Sequence, residues 1–323
     1  MRGDLLIWID ITNQPHVLFF RDFIKNHDCL VTTRDFGGLS GLLDQNSIEY
    51  TVVGRHGGKD RKSKLIESSR RVSELAEFVS KHDVKYALAK HSVELPRVAF
   101  GLGIPSIFIL DNEYAEQQNR LTLPLVSTLV TPATLDQQII QGQGANMGRT
   151  KTFNGVCEAT HLKAFNPYKS SVTELGEYVV VRPEPVLAAY FQKQSETQGL
   201  IDRLNILGYN VVVLPRSGEK YQNAVHLEGV DSLNLIYHSK AFFGGGGTMN
   251  REAAVMGVPA VSFYSQELLG VDKFLIKLGL MHHTTSLDFD VESLLTEKGL
   301  REKAEGIRKT FDDPFEIIGR EVS

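Results

Sequence analysis

The strongest constraint on the fold of this chain is its succession of short apolar runs separated by amphipathic stretches. LLIWID, CLVTTR, YALAKH, SIFILD and STLVTPA occur in the first half, and YVVVRP, NVVVLP, AFFGG and AVSFY in the second. Between them lie segments such as KSKLIESSRRVSELAEFVSKH, whose apolar residues return at helical spacing. Strands alternating with helices in this way imply an α/β fold with mainly parallel sheets. The pattern pauses at HLKAFNPYKSSVTELGE, where prolines, polar residues and lost periodicity predict a linker around Phe165 to Ser171. The 323 residues therefore divide into domains 1–165 and 166–323, each of ordinary size.

The totals exclude several classes of function. A formal net charge of -4 argues against the broad basic face that a nucleic-acid backbone requires, so no nucleic-acid partner is expected. Cys29 and Cys157 have no metal-site spacing and suggest a reducing compartment. No uninterrupted apolar run reaches the length of a membrane-spanning helix, so a soluble cytoplasmic protein is expected. The basic, glycine-rich loop GRHGGKDRKSK, Gly54 to Lys64, leaves room for peripheral contact with a membrane surface or an anionic acceptor, or is simply a solvated loop.

The halves also echo each other. KHSVELPRVAFGLGIPSIFI, from Lys90, lies without gaps over GGTMNREAAVMGVPAVSF, pairing Arg97 with Arg251, Gly103 with Gly257 and Pro105 with Pro259. Either this is helix-stop chemistry shared by unrelated βα units, or two similar doubly wound domains face each other across a cleft at the carboxyl ends of their strands. The second stretch follows AFF and the run Gly244 to Gly247, which makes a tight turn or cradles an anion at a helix N-terminus. The spacing fits neither the dinucleotide fingerprint nor a P-loop. Gly245, Gly246, Gly247, Thr248 and Met249 are the candidate phosphate contacts. Glu252, four residues after Thr248, either accepts ribose hydroxyls or is an exposed helix acid. Arg182 and Arg216, just past predicted strands, are phosphate ligands or surface ion pairs.

In the first half, Asn13, Gln14 and His16 follow the first strand, while Asp111, Asn112, Glu113 and Asn119 follow SIFIL. A histidine titrates near neutrality and a desolvated carboxylate can be raised toward it, which makes His16, Glu113 and Asp111 the acid/base candidates and the four amide residues acceptor-side candidates. The alternative is helix caps and a structural histidine. Asp288-Phe289-Asp290 has DxD spacing but precedes VESLL like a cap, and the adjacent pair His282-His283 lacks helical metal-site spacing, so no metal is expected. The segment VESLLTEKGLREKAEGIRKTF reads as an amphipathic helix able to pack back on the first domain.

IWIDITNQPHVLFFRDFI, LDNEYAEQQNRLTLPL and GGGGTMNREAAVMGVPAVSFY together resemble an uncharacterised archaeal and bacterial family grouped with the GT-B fold, the two-Rossmann-domain architecture of many glycosyltransferases and of non-hydrolysing UDP-N-acetylglucosamine 2-epimerases. GGTMNREA is similar to the epimerase segment SGGIQEEA, which implies that Glu252 holds the nucleotide ribose and Gly246 to Met249 the pyrophosphate. PHVLFF and DNEYAEQQN resemble the GGHVFP and HEQN loops of the lipid-linked N-acetylglucosaminyltransferase of peptidoglycan synthesis, implying active-site roles for His16 and Glu113. Arg251 stands where the epimerases carry their first glutamate. The resemblance implies a metal-independent glycosyltransferase without cofactor, using a UDP-sugar and a lipid-linked or polysaccharide acceptor. The alternatives are a UDP-sugar 2-epimerase and a non-catalytic nucleotide-binding protein on the same scaffold.

Overall fold

The computed structural model describes residues 5–58, 60–168, 174–184, 190–216, 218–286, 289–296 and 298–322. Lys59, residues 169–171 of the expected linker, Asp288 of the DxD triplet and Glu297 lie outside the described residues. The chain divides into two compact units, Met1–His161 with Asp312–Ser323, and Leu162–Phe311.

The first unit runs β1 (Leu6–Ile11), α1 (Gln14–Asn26), β2 (Cys29–Asp35), α2 (Leu39–Gln45), β3 (Thr51–Arg55), α3 (Arg61–Val79), β4 (Val84–Lys90), α4 (Glu94–Leu102), β5 (Ser106–Ile109), α5 (Glu116–Thr122), β6 (Thr128–Pro132), α6 (Gln137–Gly142), β7 (Thr150–Phe153) and α7 (Glu158–Leu162). Its strands form one parallel sheet in the order β3-β2-β1-β4-β5-β6-β7. Strand alternation sends Ile7, Ile9 and Ile11 of β1 into a core with Val17, Phe20, Leu39 and Leu43. Trp8 and Asp10 are equally buried, so both faces of the sheet are covered, as parallel sheets require.

The second unit runs β8 (Tyr178–Arg182), α8 (Tyr190–Ile206), β9 (Asn210–Val213), β10 (Val225–His226), α9 (Ser232–His238), β11 (Phe242–Gly244), α10 (Thr248–Val255), β12 (Ala260–Ser262), α11 (Gly270–Lys277), β13 (His282–His283), α12 (Val291–Leu295) and α13 (Leu300–Arg308). Its parallel sheet is ordered β10-β9-β8-β11-β12-β13, repeating the order of β3-β2-β1-β4-β5-β6 without a counterpart of β7. Val179, Val181, Val211 and Val213 pack against Leu200 and Leu204 of α8 and Leu294 of α12. The VESLL-to-KTF segment is broken after Leu295, and α13 starts from Gly299, its N-cap residue with φ 75°, so two short helices replace one long one, and both stay in this unit. The chain then returns to the first unit as α14 (Pro314–Glu321), where Ile318 is fully buried and Phe315 packs on Phe19, Phe20 and Phe23.

The overlaid stretches adopt the same structure down to individual hydrogen bonds. Gly103 and Gly257 have φ of 71° and 70°. Ile104 N donates to Ala99 O at 2.9 Å, and Val258 N to Ala253 O at 2.9 Å; Ala87 N meets Pro105 O at 2.9 Å, and Phe242 N meets Pro259 O at 2.8 Å. The left-handed glycine ends the helix in each, and the proline, lacking an N–H, offers its carbonyl to the neighbouring strand. β4-α4-β5 and β11-α10-β12 are thus equivalent units, placed at the point where each strand order reverses.

Candidate functional site

Loops that leave the carboxyl ends of strands on either side of such a reversal diverge, opening a crevice within each unit. In the first unit the crevice lies between β1 and β4, and in the second between β8 and β11. The candidate residues collect at these two places.

In the second unit, β11 ends at Gly244, paired in register with Arg182 of β8 and Ser262 of β12. None of Gly244 to Gly247 has positive φ, so the turn itself does not demand glycine. Close packing does. A Cβ on Gly245 would lie 2.6 Å from Glu184 Cα, one on Gly246 would collide with Arg216 Nη2, and one on Gly247 with the Arg251 guanidinium. The bare backbone therefore admits the protein's own charged side chains, rather than only removing atoms from the path of a ligand. Asn250 Nδ2 donates to the carbonyls of Gly244 and Gly246, drawing the turn onto α10.

Gly245 N is used by Arg182 O at 2.9 Å. Among the described residues no acceptor is recorded for the N–H groups of Gly246, Gly247, Thr248 and Met249, all only half-buried. They form the positive end of α10. Arg182 Nη1 donates to Leu214 O and Pro215 O, and Arg216 Nε donates to Pro183 O at 2.7 Å. These neutral anchors fix both guanidinium groups. Burial lowers the Arg182 pKa; burial, reinforced by repulsion from Arg182, lowers that of Arg216 to about 10. Both stay cationic at neutral pH, crowded together, which favours an anion between them. Arg251 forms a buried ion pair with Asp272 at 2.9 Å. Glu252 is buried in α10, contrary to the exposed-acid reading.

In the first unit, His16 lies in the first turn of α1, Lys90 ends β4 with His91 directly after it, and Asp111 follows β5. Asp111 bridges Lys90 Nζ and His91 Nε2, the latter at 2.6 Å. His91 stacks against His16 with ring centroids 6.1 Å apart, and its φ of 55° is rare for a residue with a side chain. Burial lowers the Lys90 pKa, but Asp111, with Cys157 and Glu158, more than offsets it and leaves it raised. His16 is the converse: burial, then Lys90 and His91, push its pKa well down. Its imidazole is neutral, and its Nδ1 is buried with no hydrogen-bond partner among the described residues; a neutral ring keeps one nitrogen lone pair that can take a proton. Glu113 is buried beside this group in sequence, on the loop after Asp111.

The amide candidates are all engaged, mostly with neighbouring loops and strands. Asn13 Oδ1 accepts from Arg34 Nη2 at 3.3 Å, Gln14 Nε2 donates to Gly37 O, and Asn112 Oδ1 accepts from Tyr114 N. Asn119 Nδ2 donates to Asn112 O and Gln143 Oε1. Asp290 caps α12 through Ser293 N at 3.0 Å. Lys90 and His91 escaped the sequence reading, although the internal overlay holds the signal: it sets His91 on Gly245, inside the corresponding loop.

A buried network supports the first crevice. Arg71 of α3 binds Asp10 through both terminal nitrogens and Glu94 through one, while Ser92 Oγ donates to Asp10 at 2.5 Å. Burial would raise the Asp10 pKa, but Arg71 and the Ser92 and Thr32 hydroxyls leave it lowered. Ser92 is thereby pinned beside His91, which fixes the strained turn.

The sequence model of one family, described as Protein of unknown function (DUF354), matches residues 5–323. Uncharacterized protein MJ0665 of Methanocaldococcus jannaschii is 40% identical over 307 residues, covering 88% of this chain and 89% of that protein. Among solved structures, the Methanocaldococcus jannaschii UDP-GlcNAc 2-epimerase in complex with UDP-GlcNAc and UDP matches with a TM-score of 0.71 at 11% identity, over 98% of this chain and 99% of that one. The glycosyltransferase SnogD from Streptomyces nogalater matches with a TM-score of 0.64 at 15% identity, over 99% of each. At such identities the likeness is one of fold, the two-domain GT-B fold. With its sequence matched from residue 5 to residue 323, the chain belongs to the DUF354 family.

Proposed function

We propose that this protein is a metal-independent glycosyltransferase that holds a nucleoside-diphosphate sugar, UDP-linked, in its second unit and an acceptor in its first. The main support is the row of N–H groups from the half-buried residues Gly246 to Met249, with the Arg216 guanidinium against Gly246 and Arg182 close enough to repel it. A departing diphosphate carries negative charge that must be stabilised as the glycosidic bond breaks. Fixed dipoles and arginines supply that without reorganising. Glu252 would accept the ribose hydroxyls, and neutral His16 would take the acceptor proton, with Asp111 holding His91 and Lys90 around it. Glu113 is the other carboxylate in reach of this role. A GT-B fold shared with nucleotide-sugar enzymes supports the donor assignment.

A second reading, a UDP-sugar 2-epimerase, is favoured by the gathering of His16, Lys90, His91 and Asp111, since an isomerase must both remove and return a proton. Incubation with UDP-N-acetylglucosamine in EDTA separates the two. A transferase releases UDP only when an acceptor is added, whereas an epimerase yields the 2-epimer with none. Failure to bind any nucleotide sugar would contradict both.

A further inference from the structure

We propose that Arg34, His56 and Lys64 form an anion subsite in the first unit that receives a phosphoryl group of the acceptor, an inference that rests on reading this unit as the acceptor side.

Arg34, near the end of β2, donates from Nε to Thr12 O at 3.1 Å and from Nη2 to Asn13 Oδ1 at 3.3 Å. Both acceptors are neutral, and among the described residues no carboxylate lies within ion-pair distance of its guanidinium. Asp10 and Glu94 are close enough to act on it, but both are bonded by Arg71. The guanidinium lies 5.3 Å from the centre of the Phe36 ring, whose other neighbour is the His56 ring, with centroids 4.4 Å apart. Phe36 is 36% exposed, so this stack reaches the surface.

His56 presents a defined donor. Its Nδ1 accepts from Gly58 N at 3.1 Å, which leaves the ring proton on Nε2. Burial, then Arg34 and Lys64, keep the imidazole neutral by lowering its pKa. The loop is clamped onto the start of α3: a Cβ on Gly57 would lie 2.5 Å from Lys64 Cα. Lys64 is exposed, as are Arg61 and Lys62, and none of the three has an ion pair among the described residues. Of the neighbouring acids, Asp60 is engaged with Ser63 N and Glu67 with Arg55 and Arg70, while Asp35, between Arg34 and Phe36, is exposed and acts on Arg55. A guanidinium from β2, an imidazole N–H from the loop after β3 and an ammonium from α3 suit a tetrahedral oxyanion with several acceptor oxygens.

The subsite also bears on His16, because Arg34 is one of the cations that depress its basicity. A phosphoryl group on Arg34 offsets that repulsion, so an acceptor seated there would make the base stronger when it is needed.

The test follows the His56 imidazole signals by NMR, identified with His56→Gln, while inorganic phosphate is titrated into the full-length protein at constant ionic strength. A saturable change is expected, unaffected by Arg216→Gln in the second unit. Lys64→Glu, which leaves the bonds of Arg34 intact, should weaken phosphate binding about tenfold. An equal response to acetate, or an unchanged affinity in folded Lys64→Glu, overturns the proposal. The readout needs neither donor nor turnover, so it is independent of whether the second unit binds nucleotide. Cosedimentation with phosphatidylcholine vesicles, with and without phosphatidic acid, then identifies the source. Capture by the acidic vesicles alone, lost in Lys64→Glu, supports a lipid phosphate, and phosphate binding without capture supports a soluble phosphorylated acceptor.

Discussion

His16 owes its chemistry to its surroundings, and this has a measurable consequence. Its folded-state pKa lies well below the ordinary 6.5, because burial, then Lys90, His91 and Arg34, oppose protonation more than Asp111 favours it. The unfolded chain therefore binds a proton that the folded chain refuses, and stability must fall as pH drops below 6.5 toward the folded value. Above that range His16 contributes no pH dependence. Urea unfolding of wild type and His16→Gln across this interval is expected to show a shallower acid slope in the variant. Parallel curves would contradict the assignment. His16 and Asp111 were legible in the sequence because each follows a strand. His91 was not, since its distinction is a backbone φ of 55° and a contact with Asp111, 20 residues away. The glycine run was legible as a special turn, but its cause was hidden: the side chains of Glu184, Arg216 and Arg251 come from three other positions in the chain.

At the scale of elements, the repeated βαβ unit allows one substitution to be judged against its twin. Gly103→Ala meets nothing within 4 Å and suffers only from its φ of +71°, a cost of about 1–2 kcal/mol. Gly257→Ala has nearly the same φ, but its new methyl would lie 2.5 Å from Arg301 Cα. It should destabilise by about 3 kcal/mol or more, since backbone must move. Chemical denaturation of the two variants measures the difference, and equal losses would show that α13 yields. The Arg97/Arg251, Gly103/Gly257 and Pro105/Pro259 matches signalled the repeat, but helix-stop chemistry shared by unrelated units explained the Gly-x-Pro part equally well, so sequence alone left it open. The break of the last amphipathic segment after Leu295 was not readable, because helical periodicity continues through it while the backbone does not.

At the scale of the molecule, each unit carries its own core, and α14 belongs to the first although it comes last. Ile318 is fully buried there, and burying such a side chain stabilises by about 2 kcal/mol. Truncation after Phe311 should lower the unfolding midpoint reported by Trp8, the single tryptophan, which lies buried in β1. An unchanged midpoint would mean that α14 adds nothing to its unit. The βαβ pattern implies parallel sheets joined by right-handed crossovers, which is why the fold class was readable, whereas the strand order came only with the structure. The site was less readable, because it is assembled from strand ends far apart in the sequence.

The central claim is that the second unit seats a diphosphate on the N–H groups of Gly246 to Met249 and on Arg182 and Arg216. Calorimetric titration of UDP, UMP and uridine in EDTA tests it most directly. UDP is predicted to bind at least about tenfold more tightly than UMP, an advantage that Arg216→Gln removes. Equal affinity for UDP and uridine, or no binding of UDP, would contradict it.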